Sequence, residues 1–135
     1  MILLDASVLV AAYRRQPSDG KDSPAAKSLR RMIGSGIALG IPAIVLQEVL
    51  AGVRNKTQFQ ELHTHLTAFR ILPATVEDHV EAAKILAACL AERVPCTPSA
   101  ALVVAQAKHG SWRLCTLDRE LAAIAKLGGI ELIGR

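Results

Sequence analysis

The chain opens MILLDASVLV: four apolar residues run straight into Asp5, the small pair Ala6 and Ser7 follows, and apolar residues resume. An apolar run without polar alternation needs cover on both faces, the condition of a central strand in a sheet. The stretch therefore reads as a short buried strand that ends at a carboxylate, with a helix starting straight afterwards. Asp5 then stands at the carboxyl end of a strand, where open α/β sheets bind ligands. A plainer reading is equally open on this stretch alone: Asp5 caps the next helix through its side chain.

The remainder of the chain repeats the alternation. Helical spacing continues to about residue 15, and 16–23 (QPSDGKDS) is a polar loop. Ser23 and Pro24 give an N-cap followed by proline at the first helical position, opening a helix over 24–33 that stops at Gly34-Ser35-Gly36. A buried strand is expected over 37–41, a helix over 43–53, a further helix over 57–67 and a third strand over 68–72. Thr75 begins a capping-box-like TVED before a long amphipathic helix over 76–93. Pro98 opens a helix to about residue 109. A fourth strand over 113–116 again leads to a carboxylate, Asp118. A helix over 119–127 and a short strand over 130–133 close the pattern. Strands alternating with helices predict an α/β fold: one domain over 1–135, with a central parallel sheet of four to five strands and helices on both faces.

Composition narrows the function classes. A chain of 135 residues fits one domain with a real core, and with 51% hydrophobic but only 3% aromatic residues that core is built from Ala, Leu, Ile and Val. No apolar run is long enough to span a bilayer, and the N-terminus has no signal-peptide pattern. The three cysteines, Cys89, Cys96 and Cys115, form no CxxC pair and read as thiols in a reducing cytosol. The net charge of +4 and pI of about 9.3 suit a polyanionic partner. The basic residues come in short groups: Arg14 with Arg15, Lys27 with Arg30 and Arg31, and Arg54 with Lys56. Any one group reads first as a solvated helix face. Arg14, Arg15, Arg54 and Lys56 are the candidates for phosphate contacts, by nearness to the acidic edge.

In a parallel sheet all carboxyl ends lie along one edge, so Asp5 and Asp118 meet there although more than a hundred positions separate them. Glu48, in the apolar setting AIVLQEVLAG, starts near the same edge. Unpaired burial of that glutamate is costly, so it faces a polar cleft or a cation. Three converging carboxylates repel unless a cation sits between them, and Mg²⁺ or Mn²⁺ takes such oxygen ligands. A site of that kind activates water and stabilises charge on a phosphodiester. Ser7 and Thr116, each two residues from an aspartate, are placed to orient the carboxylates or hold a water.

The segments DASVLVAAY, PAIVLQEVLAG and PSAALVVAQAKHGSWRLCTLDRELAAIA, in that order and over essentially the full length, resemble the PIN-domain ribonucleases, most closely the VapC toxins of toxin–antitoxin pairs. The resemblance implies an α/β/α domain that cleaves RNA with Mg²⁺ or Mn²⁺, a cytoplasmic homodimer, and a VapB-like antitoxin that blocks the site. Asp5, Glu48 and Asp118 match three of the family's four acidic positions, and Thr116 matches its usual threonine. Asp5 would bind metal directly, Asp118 the metal or its water, and Glu48 would position the attacking water. The fourth acidic position falls on Ala100, which has no oxygen to offer. Three readings of Ala100 stand: a deliberate Asp→Ala change, a natural relative that is weakened or dead, or compensation by another acid such as Glu120.

Two other function classes remain open. One is a non-catalytic module that keeps the fold to bind antitoxin or RNA. The other is a phosphotransfer domain of the haloacid-dehalogenase type, which wants a second aspartate where Ser7 stands. His63 and His65, two apart on a helix, face opposite ways and are not a metal pair. His79 and His109 read as isolated, Trp112 as packing, and Glu77, Asp78 and Glu81 as acids suited to a helix start.

Overall fold

Ile2, Leu3 and Leu4 are completely buried and form β1 (Ile2–Leu4), the middle strand of a five-stranded sheet. The computed structural model describes residues 1–14 and 23–133. Arg15, the side chain of Arg14, and the expected loop apart from Ser23 lie outside the described residues.

Four further strands complete the sheet: β2 (Leu39–Pro42), β3 (Arg70–Leu72), β4 (Arg113–Cys115) and β5 (Leu132–Ile133). Their order is β3-β2-β1-β4-β5, and every neighbouring pair is parallel. Ile2 lies level with Leu39 on one side and with Arg113 on the other, so β1 is flanked by a strand from each half of the chain. The sheet grows outward from β1 in both directions. That leaves a crevice at the carboxyl ends of β1 and β4, the switch point at which doubly wound sheets bind ligands.

Seven α-helices flank the sheet among the described residues: α1 (Ala6–Leu9), α2 (Pro24–Gly34), α3 (Ala43–Ala51), α4 (Lys56–Leu66), α5 (Val76–Ala91), α6 (Pro98–Gly110) and α7 (Arg119–Leu127). The expected helix after Asp5 is a single α-turn that widens into a π-helical turn over Val10–Arg14. The second strand starts two residues later than expected, because Ile37 is exposed and only Gly40, Ile41 and Pro42 are fully covered. Gly40 lets the strands pack closely there: a Cβ on it would lie 2.9 Å from both the Leu72 Cδ1 and the Met1 Sδ atoms, so those side chains would have to move.

The caps read from the sequence are formed. Ser23 accepts from the Ala26 N–H with Pro24 in the first turn, and Thr75 and Asp78 close a reciprocal capping box on α5. The core is aliphatic. α6 buries seven consecutive residues, Ala101–Ala107, so it is covered all round by its neighbours. All three cysteines are free thiols; Cys89 and Cys115 are buried, and burial pushes the Cys115 thiol upward.

Candidate active site at the switch point

The two chain segments leaving the crevice are tied to each other at Asp5. Its Oδ2 accepts from the Ser7 hydroxyl at 2.6 Å, from the Thr116 hydroxyl at 2.6 Å and from the Ser7 N–H at 3.3 Å. The capping reading of Asp5 is therefore met, and the same oxygen that caps α1 is also oriented by two hydroxyls. The side chain is largely covered, at 8% exposure for the residue. Oδ1 has no partner among the described residues, and it is not among the buried atoms left unsatisfied. One oxygen of Asp5 is thus fixed by the protein and the other remains available.

Thr116 is fully buried and acts as a relay. Its Oγ1 donates to Asp5 and accepts the Asp118 N–H at 3.0 Å. Ser7 Oγ likewise donates to Asp5 and accepts the Leu117 N–H at 2.9 Å. The 3.3 Å contact between the two hydroxyls carries no proton of its own, since each has spent its single donor on Asp5. Asp118 sits one residue before α7 and caps it, Oδ1 accepting from the Glu120 and Leu121 N–H groups at 2.9 and 3.5 Å. Asp118 is exposed, and its Oδ2 has no partner among the described residues.

Glu48 reaches the same region from α3, which packs on α1. Its carboxyl is pushed above the usual carboxylate range, first by partial loss of water and then by the charge of Asp5. Glu48 is exposed, and among the described residues no basic group pairs with it.

The acids do not close into the expected three-carboxylate cage. Among the described residues, no three acids, histidines or cysteines come together closely enough to hold an ion between them. The physical reasons are visible. Asp118 spends one oxygen on the α7 N-terminus, and position 100 supplies a methyl group. Ala100 lies in the first turn of α6, half-buried against the core, its N–H taken by the Thr97 hydroxyl. Glu120 lies exposed in the first turn of α7 and completes no such group with Asp5 and Asp118.

The PIN domain family model matches residues 2–127. The chain belongs to the PIN domain family. No curated protein matches it closely enough to count as a relative. Among solved structures, this PIN domain is similar to FitAcB from Neisseria gonorrhoeae, with 22% identity over 99% of this chain and 97% of that one and a TM-score of 0.76. It is similar also to VapBC2 from Rickettsia felis bound to a promoter DNA fragment, with 18% identity, 98% of each chain covered and a TM-score of 0.78. A third similar structure is Mycobacterium tuberculosis VapC20, described as a sarcin–ricin loop cleaving toxin, with 13% identity, 91% and 94% coverage and a TM-score of 0.68. At these identities the likeness is one of fold.

Several side chains behave differently from the sequence reading. His109 is not isolated: its Nδ1 lies 2.5 Å from Asp78 Oδ1, and Asp78 is buried rather than merely decorating a helix start. Lys108 pairs with Glu81 beside it, so two polar contacts clamp α6 to α5. His65 is exposed and stacks on Tyr13, ring centroids 5.7 Å apart and planes 16° from parallel. Sequence reasoning missed this pair, because 52 positions separate its members and neither belongs to a recognisable motif. Arg54 and Lys56 lie exposed where α3 gives way to α4.

Proposed function

We propose that this PIN domain is the toxin of a VapC-like toxin–antitoxin pair, an RNA-cleaving hydrolase whose chemistry is weakened or silenced by Ala100. The observation that carries the reading is the joining of Asp5, Thr116 and Asp118 at the β1–β4 switch point, with Glu48 close enough to feel Asp5. Support comes also from the neighbours: VapC20 is described as cleaving the sarcin–ricin loop, VapBC2 as bound to a DNA fragment from its promoter, and a further similar structure as a toxin–antitoxin complex from Klebsiella pneumoniae. A cognate VapB-like antitoxin, a homodimer and a cytoplasmic setting follow from the same reading. Among the described residues no helix is long and apolar enough to cross a membrane.

The donor chemistry fits Mg²⁺ or Mn²⁺. Among the described residues, Asp5 Oδ1 and Asp118 Oδ2 are hard oxygens without partners, and no basic side chain offsets the Asp5–Glu48 repulsion. Asp5 and Asp118 would hold the ion through one oxygen each, with much of its shell still water, as Mg²⁺ sites commonly do, and Glu48 would bond one of those waters rather than the ion. When bound, the ion supplies charge stabilisation at the phosphodiester and a more acidic water. Ser7 and Thr116 fix the Asp5 carboxylate in one orientation, which lowers the reorganisation needed during reaction. Glu48, its proton affinity raised, accepts a hydrogen bond from the attacking water and draws off its proton.

Ala100→Asp tests the proposal. The first turn of α6 holds no acid, and an aspartate there suits the helix dipole, so the variant folds. The expected result is RNA cleavage that depends on Mg²⁺ or Mn²⁺ and stops with EDTA, at least tenfold above the Ala100 protein. A folded Ala100→Asp protein with no gain removes the nuclease reading. Ala100 itself favours one rival, a non-catalytic module that binds antitoxin or RNA; that rival predicts binding without metal dependence and without rescue.

A further inference from the structure

A roomy cavity opens between the π-helical turn, the end of α3 and α4. It measures about 700 Å³ and is lined by Tyr13 from the π-helical turn, by Gly52–Asn55 after α3, and by Gln58, Glu61, Leu62 and His65 along one face of α4. Glu48 and Gly52 are four residues apart on one helical face, so the cavity begins about 6 Å along the axis from Glu48.

Its wall chemistry is that of a base pocket. The stacked Tyr13–His65 pair supplies a flat π surface, on which any base can lie. Arg54 is exposed and without a partner among the described residues, and Lys56 stands next to it at the N-terminal end of α4. Both can meet the backbone of a single strand. Asn55 spends its Oδ1 on capping α4, accepting the Gln58 N–H at 3.0 Å, so its amide N–H₂ remains a donor. Glu61 is the one carboxylate on the wall. An acid in an otherwise basic pocket repels phosphate but accepts well from an exocyclic base amine. The next groove, which shares Tyr13 and His65, has a different character: Ile33, Ile37, Leu39 and Phe69 make it apolar, the kind of surface a polypeptide covers.

We propose that the cavity lined by Tyr13, Arg54, Gln58, Glu61 and His65 is a nucleobase subsite, which takes an unpaired, amino-bearing RNA base near the scissile phosphate. The base stacks on the Tyr13–His65 pair, Glu61 accepts from its exocyclic amine, and Arg54 holds the adjoining phosphate. This inference rests on the nuclease reading and gives it a substrate preference: cytosine over uracil among pyrimidines, because the two differ there in an amine against a carbonyl.

The test is fluorescence anisotropy with labelled, cleavage-resistant 2′-O-methyl oligocytidine and oligouridine octamers and the protein as it stands, with Ala100. The parent is expected to bind oligocytidine more tightly. Tyr13→Leu and Arg54→Gln each weaken binding about tenfold, whereas Tyr13→Phe, which keeps the ring, stays near the parent. Glu61→Gln erases the cytosine preference while retaining affinity. Unchanged affinity in Tyr13→Leu and Arg54→Gln, with the parent binding RNA, overturns the subsite and leaves the nuclease reading standing. A parent that binds neither octamer, together with no gain of cleavage in Ala100→Asp, removes the nuclease reading itself. Loss of binding in Tyr13→Phe as well would show that the ring's stacking is not what holds the RNA, and counts against the subsite.

Discussion

Thr116 Oγ1 donates to Asp5 Oδ2 at 2.6 Å and joins two positions 111 residues apart in the chain. The same hydroxyl accepts the Asp118 N–H, so one buried group sets both aspartates. Thr116→Val keeps the shape and deletes the hydroxyl. It leaves the Asp118 N–H without its acceptor and removes one of three donors to Asp5. A loss of about 1–3 kcal/mol in urea unfolding is expected. Thr116→Ser, which retains the hydroxyl, should recover most of it. Equal stability of the valine and serine variants would show that the relay contributes nothing to the fold.

Glu48 carries the opposite balance. Partial desolvation and then Asp5 raise its carboxyl above the ordinary value of 4.5. A carboxyl that binds its proton more tightly in the folded state opposes folding wherever it is ionised; the penalty fades as pH falls through the raised value. Glu48→Gln removes that penalty, so the variant should melt at a higher temperature than the parent at pH 7 and at nearly the same temperature at pH 4. Added Mg²⁺ should narrow the pH 7 difference by stabilising the parent more. In an Ala100→Asp background the same substitution should abolish the restored cleavage. Stability gained at the expense of chemistry is the mark of a functional acid rather than a surface one. A Glu48→Gln protein less stable than the parent at pH 7 contradicts this.

The sheet, its parallel sense and its helices were legible because the signals are local: apolar runs without alternation, Ser23-Pro24, TVED, Pro98 and the glycine stops. The central place of β1 followed from its unbroken burial pattern. At the site, the common edge of Asp5 and Asp118 follows from topology alone, and the PIN family match agrees with the resemblance. What stayed hidden depends on side-chain direction. Closure of the acids into a cage requires knowing that Asp118 turns one oxygen to α7. The Asp78–His109 contact and the Tyr13–His65 stack join helices whose relative placement no pattern encodes.

Asp78 is the buried acid of the α5–α6 clamp. Burial, the largest influence, raises its carboxyl, but hydrogen bonds with Thr75 and His109 together outweigh it and hold the group below the ordinary 3.8. A depressed carboxylate stabilises the fold above the unfolded value and loses that contribution as pH falls through the folded value. Asp78→Asn should therefore be less stable than the parent at pH 6, by about 1–2 kcal/mol for a lost cap and its ion pair. The gap should begin to narrow as pH falls below about 3.8 and go on narrowing toward the depressed folded value, which chemical denaturation from pH 6 downward measures directly. A gap that is constant with pH would mean that the charge on Asp78 is not what matters.

Gly110 ends α6 beneath Trp112, the chain's one tryptophan. A Cβ at position 110 would stand 2.2 Å from the ring atoms Cδ2 and Cε2, so any side chain there must displace the indole. Trp112 lies half-buried near Leu72 and Pro73 and immediately before β4, which leads on to Thr116 and Asp118. Forced repacking at such a contact costs about 1–3 kcal/mol. Gly110→Ala should lower stability by that amount and shift the single tryptophan's emission to the red as the ring meets more water. In an Ala100→Asp background the shift should come with reduced cleavage, because displacing the ring disturbs the entry to the strand that carries the relay. Unchanged emission in a stable Gly110→Ala protein would show that the indole can leave its place without cost.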